Sequence, residues 1–219
     1  GFVGTILDLN GADKVTINGR LNKTGEGKSL TISHTSNADN SNRTIRFVND
    51  AKENTIQYAT IKGKCPSTGA GVIFFSTTTG ADGNDNDVIE YCEIDASGAA
   101  AVGIGSAGTT DKSNSGNIIR NNNIYDFYLG DASTTATYGI NIAVHNTAWT
   151  ITGNSIYQKT PRAYTTSGNA FHYGLYVSSA TGAGGDFVIT DNYIGGSAPM
   201  AGGSPWTVTG GLGRPVGLY

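Results

Sequence analysis

A short motif with the form Ile-x-x-[Asn/Cys/Ala]-x-Ile recurs five times along this chain. Its copies begin at Ile56, Ile89, Ile119, Ile151 and Ile189, at intervals of 33, 30, 32 and 38 residues. A second pattern, a glycine followed by alternating apolar residues, begins at Gly71, Gly103, Gly139, Gly174 and Gly217. Two strand-like patterns that alternate at a period of roughly 20–50 residues are typical of solenoids. The two patterns therefore predict a solenoid in which every coil contributes the same short strands.

The composition favours a thin, elongated core over a large globular one. Apolar residues make up 37% of the 219 residues, and charged residues only 14%. The chain is too polar for a conventional sandwich of this length, and too weakly charged for a disordered segment. A solenoid accommodates both properties because each coil needs only a few inward aliphatic side chains. We therefore predict a single domain over residues 1–219.

One repeat, from Gly139 to Gly174, shows how the chain forms a coil. Tyr138, Ile140 and Ile142 alternate with smaller or polar residues, which predicts a strand with one buried face. A second short strand follows, Asn154 marks a corner, and a third short strand comes next. We predict an all-β fold, a right-handed single-stranded parallel β-helix of about six to seven coils with three short strands per coil.

The variable position of the Ile motif holds Asn122, Asn154 and Asn192 in three copies and Cys92 in another. Asparagine tolerates the left-handed backbone conformation, which suits a corner. Its amide can also bond to the asparagine one coil away. We predict a structural asparagine ladder at these positions. A buried free thiol is the favoured interpretation of Cys92 and of Cys65, with a disulfide between them as the alternative.

The five Ile motifs and the glycine strands between them resemble the right-handed parallel β-helix repeat family over roughly residues 44–219. The Thr-, Ser-, Gly- and Asn-rich segments Val72–Gly80 and Asn117–Tyr125 also resemble large secreted β-helix proteins of Bacteroidota bacteria. Those proteins are often exported by a type IX system. The resemblance implies a secreted or cell-surface location. It does not decide function, because the family includes lyases, hydrolases, epimerases, adhesins and fibre proteins.

Both ends of the chain read as strands without a capping helix, at Phe2–Leu7 and Val216–Tyr219. Uncapped strands expose unpaired edges. We therefore expect a segment of a longer chain, and the alternative is end-to-end self-association, which produces open filaments. The Gly- and Pro-rich segment 195–215 is predicted to be a long loop insertion.

The outer face of the glycine strands is the surface on which enzymes of the resembling family hold their substrates. We assign Ile73, Gly105, Asn141, Tyr176 and Tyr219 to an outward row, and the glycines that begin the motifs to the preceding outward row. The face predicted from these two rows contains no Asp or Glu. The carboxylate pairs of polysaccharide hydrolases therefore have no counterpart on it.

The remaining catalytic candidates lie in and beside one loop. Lys159, Arg162, His172 and Tyr173 fall between residues 157 and 173. A polysaccharide lyase needs a cation for the uronate carboxylate, a base and an acid. Lys, Arg, His and Tyr can fill these roles. The simpler interpretation is that these four are ordinary solvated surface residues.

Aromatic residues provide the ligand-binding candidates. Flat rings suit the C–H faces of sugars, and Tyr164, Tyr176 and Trp206 lie in or near loops, with Asn141 in the outward row. Some of these aromatic residues are also expected to cover strand ends. We predict that these four residues contribute to a glycan-binding surface.

The loop that contains Asp82, Asn84, Asp85 and Asp87 is the most acidic stretch of the chain. Alternating Asp and Asn oxygens are ligands that calcium prefers, which makes these residues a weak calcium candidate. A polar turn is the simpler alternative, because the loop lacks the glycine and distal glutamate of an EF-hand. We expect no other cofactor, since three dispersed histidines and two cysteines give no zinc spacing.

Composition excludes two partner classes. The net charge is −3 and the basic residues are scattered, so nucleic acid is not expected as a partner. No apolar run approaches the ~18 residues of a membrane span. Our first hypothesis is a non-catalytic secreted stalk or adhesin that binds glycans. The alternatives are a polysaccharide lyase or other carbohydrate-active enzyme, and a filament subunit.

Overall fold

The computed structural model describes residues 2–130, 133–165, 169–178, 185–210 and 212–219. Strands make up nearly all the regular structure in these ranges, and the one helix there is a 3-10 turn at Leu21–Lys23. No helix in the described ranges is long and apolar enough to cross a bilayer.

The strands, numbered along the chain, stack in parallel into three long sheets. The first sheet contains β1 (Leu7–Asn10), β4 (Ile45–Val48), β7 (Ile73–Phe75), β10 (Val102–Ser106), β14 (Thr137–Ile142), β19 (Asn169–Val177) and β23 (Leu212–Leu218). The second contains β2 (Thr16–Asn18), β5 (Thr55–Gln57), β8 (Val88–Glu90), β12 (Ile118–Arg120), β16 (Thr150–Thr152) and β20 (Val188–Thr190). The third contains β3 (Leu30–Ser33), β6 (Ala59–Lys62), β9 (Glu93–Ala100), β13 (Asn123–Phe127), β17 (Ser155–Tyr157) and β21 (Tyr193–Ile194).

Each coil takes one strand from each sheet in order, which confirms the predicted parallel β-helix. The described residues form six coils, and β23 begins a seventh. Two short strand pairs lie outside the main sheets: β11 (Asn114–Ser115) with β15 (Asn146–Thr147), and β18 (Arg162–Ala163) with β22 (Val208–Thr209).

The core consists of aliphatic rows along the helix axis, one from each sheet. Strand pairing aligns Ile17, Ile56, Ile89, Ile119, Ile151 and Ile189 in the second sheet. It aligns Ile32, Ile61, Ile94, Ile124, Ile156 and Ile194 in the third. The Ile motif therefore recurs because each isoleucine packs on its equivalent one coil away, at the strand spacing of roughly 4.8 Å.

The predicted asparagine ladder is present. Asn122 Nδ2 donates to Asn154 Oδ1 at 3.0 Å, and Asn154 Nδ2 donates to Asn192 Oδ1 at 2.9 Å. The backbone N–H of Cys92 donates to Asn122 Oδ1 at 2.9 Å, so the cysteine ends the ladder. Both Cys92 and Cys65 are buried free thiols, as favoured by the sequence.

The left-handed corner residue is not the ladder asparagine, so that part of the interpretation was wrong. It is the preceding residue, whose φ lies between 53° and 66° in five coils: Tyr58, Tyr91, Asn121, Gly153 and Asp191. The ladder asparagine instead faces inward. Its amide bonds to backbone N–H and C=O groups at the corner, which have lost their partners from regular strand pairing.

Two further rows of polar side chains were not predicted from the sequence. One joins Asn54, Asp87 and Asn117, and the other joins Asn84, Asn114 and Asn146 through Ser106. All six Asn and Asp side chains are fully buried. These rows satisfy the backbone at the corner between the first and second sheets.

The glycine row was assigned to the wrong face. A Cβ atom at Gly103, Gly139 or Gly174 would lie 2.7, 2.5 or 2.3 Å from the Cγ2 atom of Ile124, Ile156 or Ile194, respectively. These glycines therefore face the core, and no side chain fits there. The alternation is interrupted at this point, and Tyr138, which was assigned to the buried face, lies on the outside and is only half-buried.

The outward row also needs correction in its earlier coils. Ile73 pairs with Ile104 and is fully buried, so Phe74 takes the outward position beside Gly105. The cause is spacing, because Ile73 follows Gly71 by two residues whereas Ile104 directly follows its glycine. Further back, the row contains Asp8 and Arg46, which form an ion pair on a face that was expected to lack acids.

The segment 195–215 is not one continuous loop. It includes β22 and the first part of β23, and Trp206 from this segment packs against the core at Phe127. The segment therefore wraps the last coils of the helix.

Candidate binding surface

The first sheet widens in its last coils. By register β14 begins one residue before the start of β10, β19 begins three residues before the start of β14, and β23 begins level with β19. The outer side of this wider part has five aromatic rings, from Tyr138, Phe171, Tyr173, Tyr176 and Tyr219. We call this set the aromatic platform.

The rings of the platform form two stacks at an angle to each other. Tyr138 stacks on Tyr173 with centroids 5.1 Å apart and planes 10° apart, and Phe171 stacks on Tyr173 at 5.8 Å. Tyr176 stacks on Tyr219 at 5.1 Å, and its ring stands 64° from that of Tyr173. In each stacked pair one face of each ring is turned toward its partner. The platform therefore presents ring edges and hydroxyl groups as well as ring faces.

The platform residues are half-buried except Tyr219, which is 68% exposed. Burial, with the neighbouring phenols, raises the pKa of Tyr138 and of Tyr173. Their hydroxyl groups are therefore protonated at neutral pH and can donate hydrogen bonds.

Asn141 borders the platform, in the same outward row as Tyr176. Its Nδ2 atom donates to the Thr68 carbonyl at 3.3 Å, so the loop before β7 closes the platform on this side. Its Oδ1 atom is buried and has no hydrogen-bond partner among the described residues. Asn141 thus lies where the sequence predicted, but its amide is covered by the loop.

His172 and Tyr164 lie beneath the platform rather than on it. His172 is fully buried, its Nδ1 atom lies 2.6 Å from Thr137 Oγ1, and its Nε2 atom is hydrogen-bonded to Tyr164 Oη. Burial, with the nearby positive charge of Arg162, lowers the pKa of His172 to about 4. The imidazole is therefore neutral near pH 7 and anchors the wide part of the sheet from inside.

The other two lyase candidates are engaged elsewhere. Arg162 Nη2 donates to Asp126 Oδ1 at 2.6 Å, and its guanidinium lies over the Tyr128 ring at 4.7 Å. Lys159 Nζ lies 3.6 Å from the centroid of the Tyr125 ring. Tyr173 lies on the opposite side of β19 from His172. The four candidates are therefore close in sequence but do not converge on one accessible point.

Trp206 is also separate from the platform. Its ring meets Phe127 edge-on at 5.7 Å and packs against the hydrophobic core. Of the four predicted ligand-binding residues, Tyr176 is in the platform, Asn141 borders it, and Tyr164 and Trp206 have packing roles.

The acidic loop splits between the surface and the interior. Asp82 pairs with Lys52 at 2.6 Å and Asp85 bonds to Ser115, whereas Asn84 and Asp87 point into the polar rows. The oxygens therefore do not converge as a calcium shell would require. Among the described residues no group of three His, Cys, Asp or Glu side chains is placed to hold a metal.

Tyr138 and Phe171 are the platform residues that sequence reasoning missed. Gly139 and Ile140 both face inward, which interrupts the alternation, so alternation counted from Ile140 assigned Tyr138 to the core. The recurrence of an aromatic residue directly before the motif glycine, in Tyr138-Gly139 and Tyr173-Gly174, is the signal that could have identified the row.

The fold and this face together define a parallel β-helix with an aromatic outer surface. Searches of protein-family models, curated proteins and solved structures found no match to the chain.

Proposed function

We propose that this chain is a non-catalytic β-helix segment of a secreted or cell-surface protein, which binds polysaccharide or cell-surface glycan through the aromatic platform. The observation that carries this proposal is the contiguous set of five rings on one outer face. Aromatic rings with hydroxyl groups offer both an apolar surface and hydrogen-bond donors, the combination that sugar rings require. The stacked coils beneath the platform provide a rigid support, which suits a stalk or adhesin.

Affinity electrophoresis against a panel of soluble polysaccharides tests this function. We expect retardation in at least one polysaccharide gel, and Tyr176→Ala should weaken the apparent affinity roughly tenfold, as loss of a buried aromatic anchor does. Tyr193→Ala is the matched control, because Tyr193 is an exposed tyrosine on the third sheet, away from the platform. Equal binding by both variants, or no binding by the wild type, would contradict the proposal.

A polysaccharide lyase centred on Lys159, Arg162, His172 and Tyr173 is the alternative with less support. A general base must reach the proton that it removes, and His172 is fully buried. New unsaturated uronate products that disappear in the Arg162→Gln variant would favour this alternative over simple binding.

End-to-end association is supported by a separate observation. A cavity of about 200 Å³ at the last full coil is lined by the buried Leu175, the partly buried Ile189 and Ile194, and the exposed Leu218. Burial of these side chains by a second copy would remove apolar surface from water. Growth of the particle with concentration in light scattering would support this role, and a constant monomer mass would count against it.

A further inference from the structure

Two tyrosines occupy a backbone conformation that disfavours them. Tyr58 and Tyr91 both have φ of 53° at the corner between the second and third sheets, where later coils have Asn121, Gly153 and Asp191. Asparagine, glycine and aspartate visit this region easily, whereas a bulky side chain there is an outlier. Strain of this kind, retained in two successive coils, points to a role for the rings themselves.

The two rings form an ordered stack on the surface. Their centroids are 4.8 Å apart and their planes 11° apart. The Arg20 guanidinium covers the outer face of the stack, 4.2 Å from the Tyr58 centroid. Arg20 is itself held by Asn18, whose Oδ1 atom accepts from Arg20 Nε at 3.1 Å. The stack is therefore preorganised from one end.

The other end of the stack is open. Tyr91 is 38% exposed, and the next residue in the corner row is Asn121. The Asn121 side chain lies toward the following coil, because a Cβ atom on Gly153 would meet its Oδ1 atom at 2.3 Å. One face of Tyr91 is thus left without a ring or side chain of this row against it.

Hydrogen-bonding groups of both kinds flank the open ring. Glu90 and Arg120 lie beside Tyr91 at the end of the second sheet and pair with each other at 2.7 Å. Glu90 is buried and neutralises Arg120, so the remaining donors of Arg120 and the exposed Asn121 amide suit a ligand that has many hydroxyl groups and no large net charge.

We propose that the Arg20–Tyr58–Tyr91 stack is a second carbohydrate-binding site, where a neutral pyranose ring packs on the open face of Tyr91. The site lies on a different face from the aromatic platform and does not depend on it. The exposed Asn121 and Arg120 side chains are placed to bond to the hydroxyl groups of the sugar.

Replacing Tyr91 by asparagine separates this proposal from a purely structural role. Asn fits the left-handed backbone, and relief of about 1–2 kcal/mol of strain corresponds to a factor of roughly 5–30 in the unfolding equilibrium. Part of this gain is offset by the lost ring contact. We therefore expect Tyr91→Asn to fold at least as stably as the wild type, with an unfolding constant that is about twofold to tenfold lower, while sugar binding at the corner is lost.

The experiment uses NMR titration with cellohexaose, mannohexaose and xylohexaose, alongside urea unfolding. We expect at least one oligosaccharide to shift the Tyr91 and Asn121 signals in the wild type and in Tyr176→Ala, but not the corner signals in Tyr91→Asn. Tyr193→Asn is the control for a tyrosine outside the stack. The absence of any shift at Tyr91 with all three sugars overturns the proposal, and so does a marked loss of stability in Tyr91→Asn. Because Tyr176→Ala leaves this corner intact, failure of the platform and failure of this site are distinguishable.

Discussion

Gly139 lies so close to Ile156 that a Cβ atom on the glycine would come within 2.5 Å of the isoleucine Cγ2 atom. The first and third sheets therefore meet in each late coil through a glycine and an isoleucine, and this contact sets how narrow the helix can be. The same contact joins Gly103 to Ile124.

Replacing Gly139 by alanine should therefore destabilise the protein, because an added methyl group in a packed core costs about 1–3 kcal/mol. Urea unfolding measures the change. Gly217→Ala is the matched control, since Gly217 is in the same row and an added Cβ there would meet no described atom within 4 Å. Equal losses in the two variants would show that flexibility rather than crowding dominates at these glycines.

Removing an asparagine from the middle of the ladder should destabilise the protein more than removing one from its end. Asn154 is fully buried and bonds to Asn122 and Asn192, and its Nδ2 atom also donates to the Ile119 carbonyl at 2.9 Å. Asn154→Ala leaves buried backbone and amide groups unpaired, at about 1–3 kcal/mol for each such group. Asn192→Ala should cost less, because Asn192 is only partly buried. A larger loss at Asn192 in thermal unfolding would contradict this order.

Stability should fall as the pH rises through the neutral range because of Asp87. Its Oδ2 atom is buried without a hydrogen-bond partner among the described residues, and burial raises its pKa from 3.8 to about 8. The folded chain therefore holds a proton that the unfolded chain has released, and stability decreases with pH until the carboxyl ionises near pH 8. The expected slope is on the order of 1.4 kcal/mol per pH unit.

The interval from pH 6.5 to 8 isolates this effect, because His172 changes the stability only at lower pH. The pKa of His172 is lowered from 6.5 to about 4, so the unfolded chain takes up a proton there that the folded chain does not. Urea unfolding across this interval should show a decline in the wild type and a flatter profile in Asp87→Asn. Asp85→Asn is the control for the neighbouring carboxyl, whose pKa burial also raises. If the decline persisted in Asp87→Asn but vanished in Asp85→Asn, the proton would be held by Asp85, and the assignment to Asp87 would be wrong.

The bond between Tyr164 and His172 should be structural. Tyr164→Phe removes the hydroxyl that meets His172 Nε2 in the interior, and a buried polar atom without its partner costs about 1–3 kcal/mol. The measurement is thermal unfolding, with Tyr193→Phe at an exposed site as the control. Unchanged stability of Tyr164→Phe together with lost polysaccharide processing would instead indicate a catalytic role.

The three-sheet fold could be predicted because the Ile motif records direct contacts between equivalent residues. Ile119 packs on Ile89 and Ile151, so the requirement for an aliphatic residue repeats with each coil. The ladder at Asn122 and Asn154 was predictable for the same reason. The row through Asn54, Asp87 and Asn117 was not recognised, although each member stands two residues before an Ile motif, because the members differ in type and Trp149 takes this place in the next copy.

The candidate site was less predictable, since it depends on which side of a strand each residue faces. At Tyr138 the glycine that follows interrupts the alternation, and one change of side moves a ring from core to surface. The grouping of Lys159, Arg162 and His172 failed for another reason, because nearness along a loop does not determine where side chains point once each finds its own partner.

The spacing between coils varies from 30 to 38 residues while the isoleucine rows stay in register. All length differences are therefore absorbed at the rim of the cross-section, where one coil can change without altering the next. The chain can acquire or discard a surface feature one turn at a time, so the platform on the first sheet and the tyrosine stack at the corner between the other two sheets can diversify independently on an unchanged scaffold.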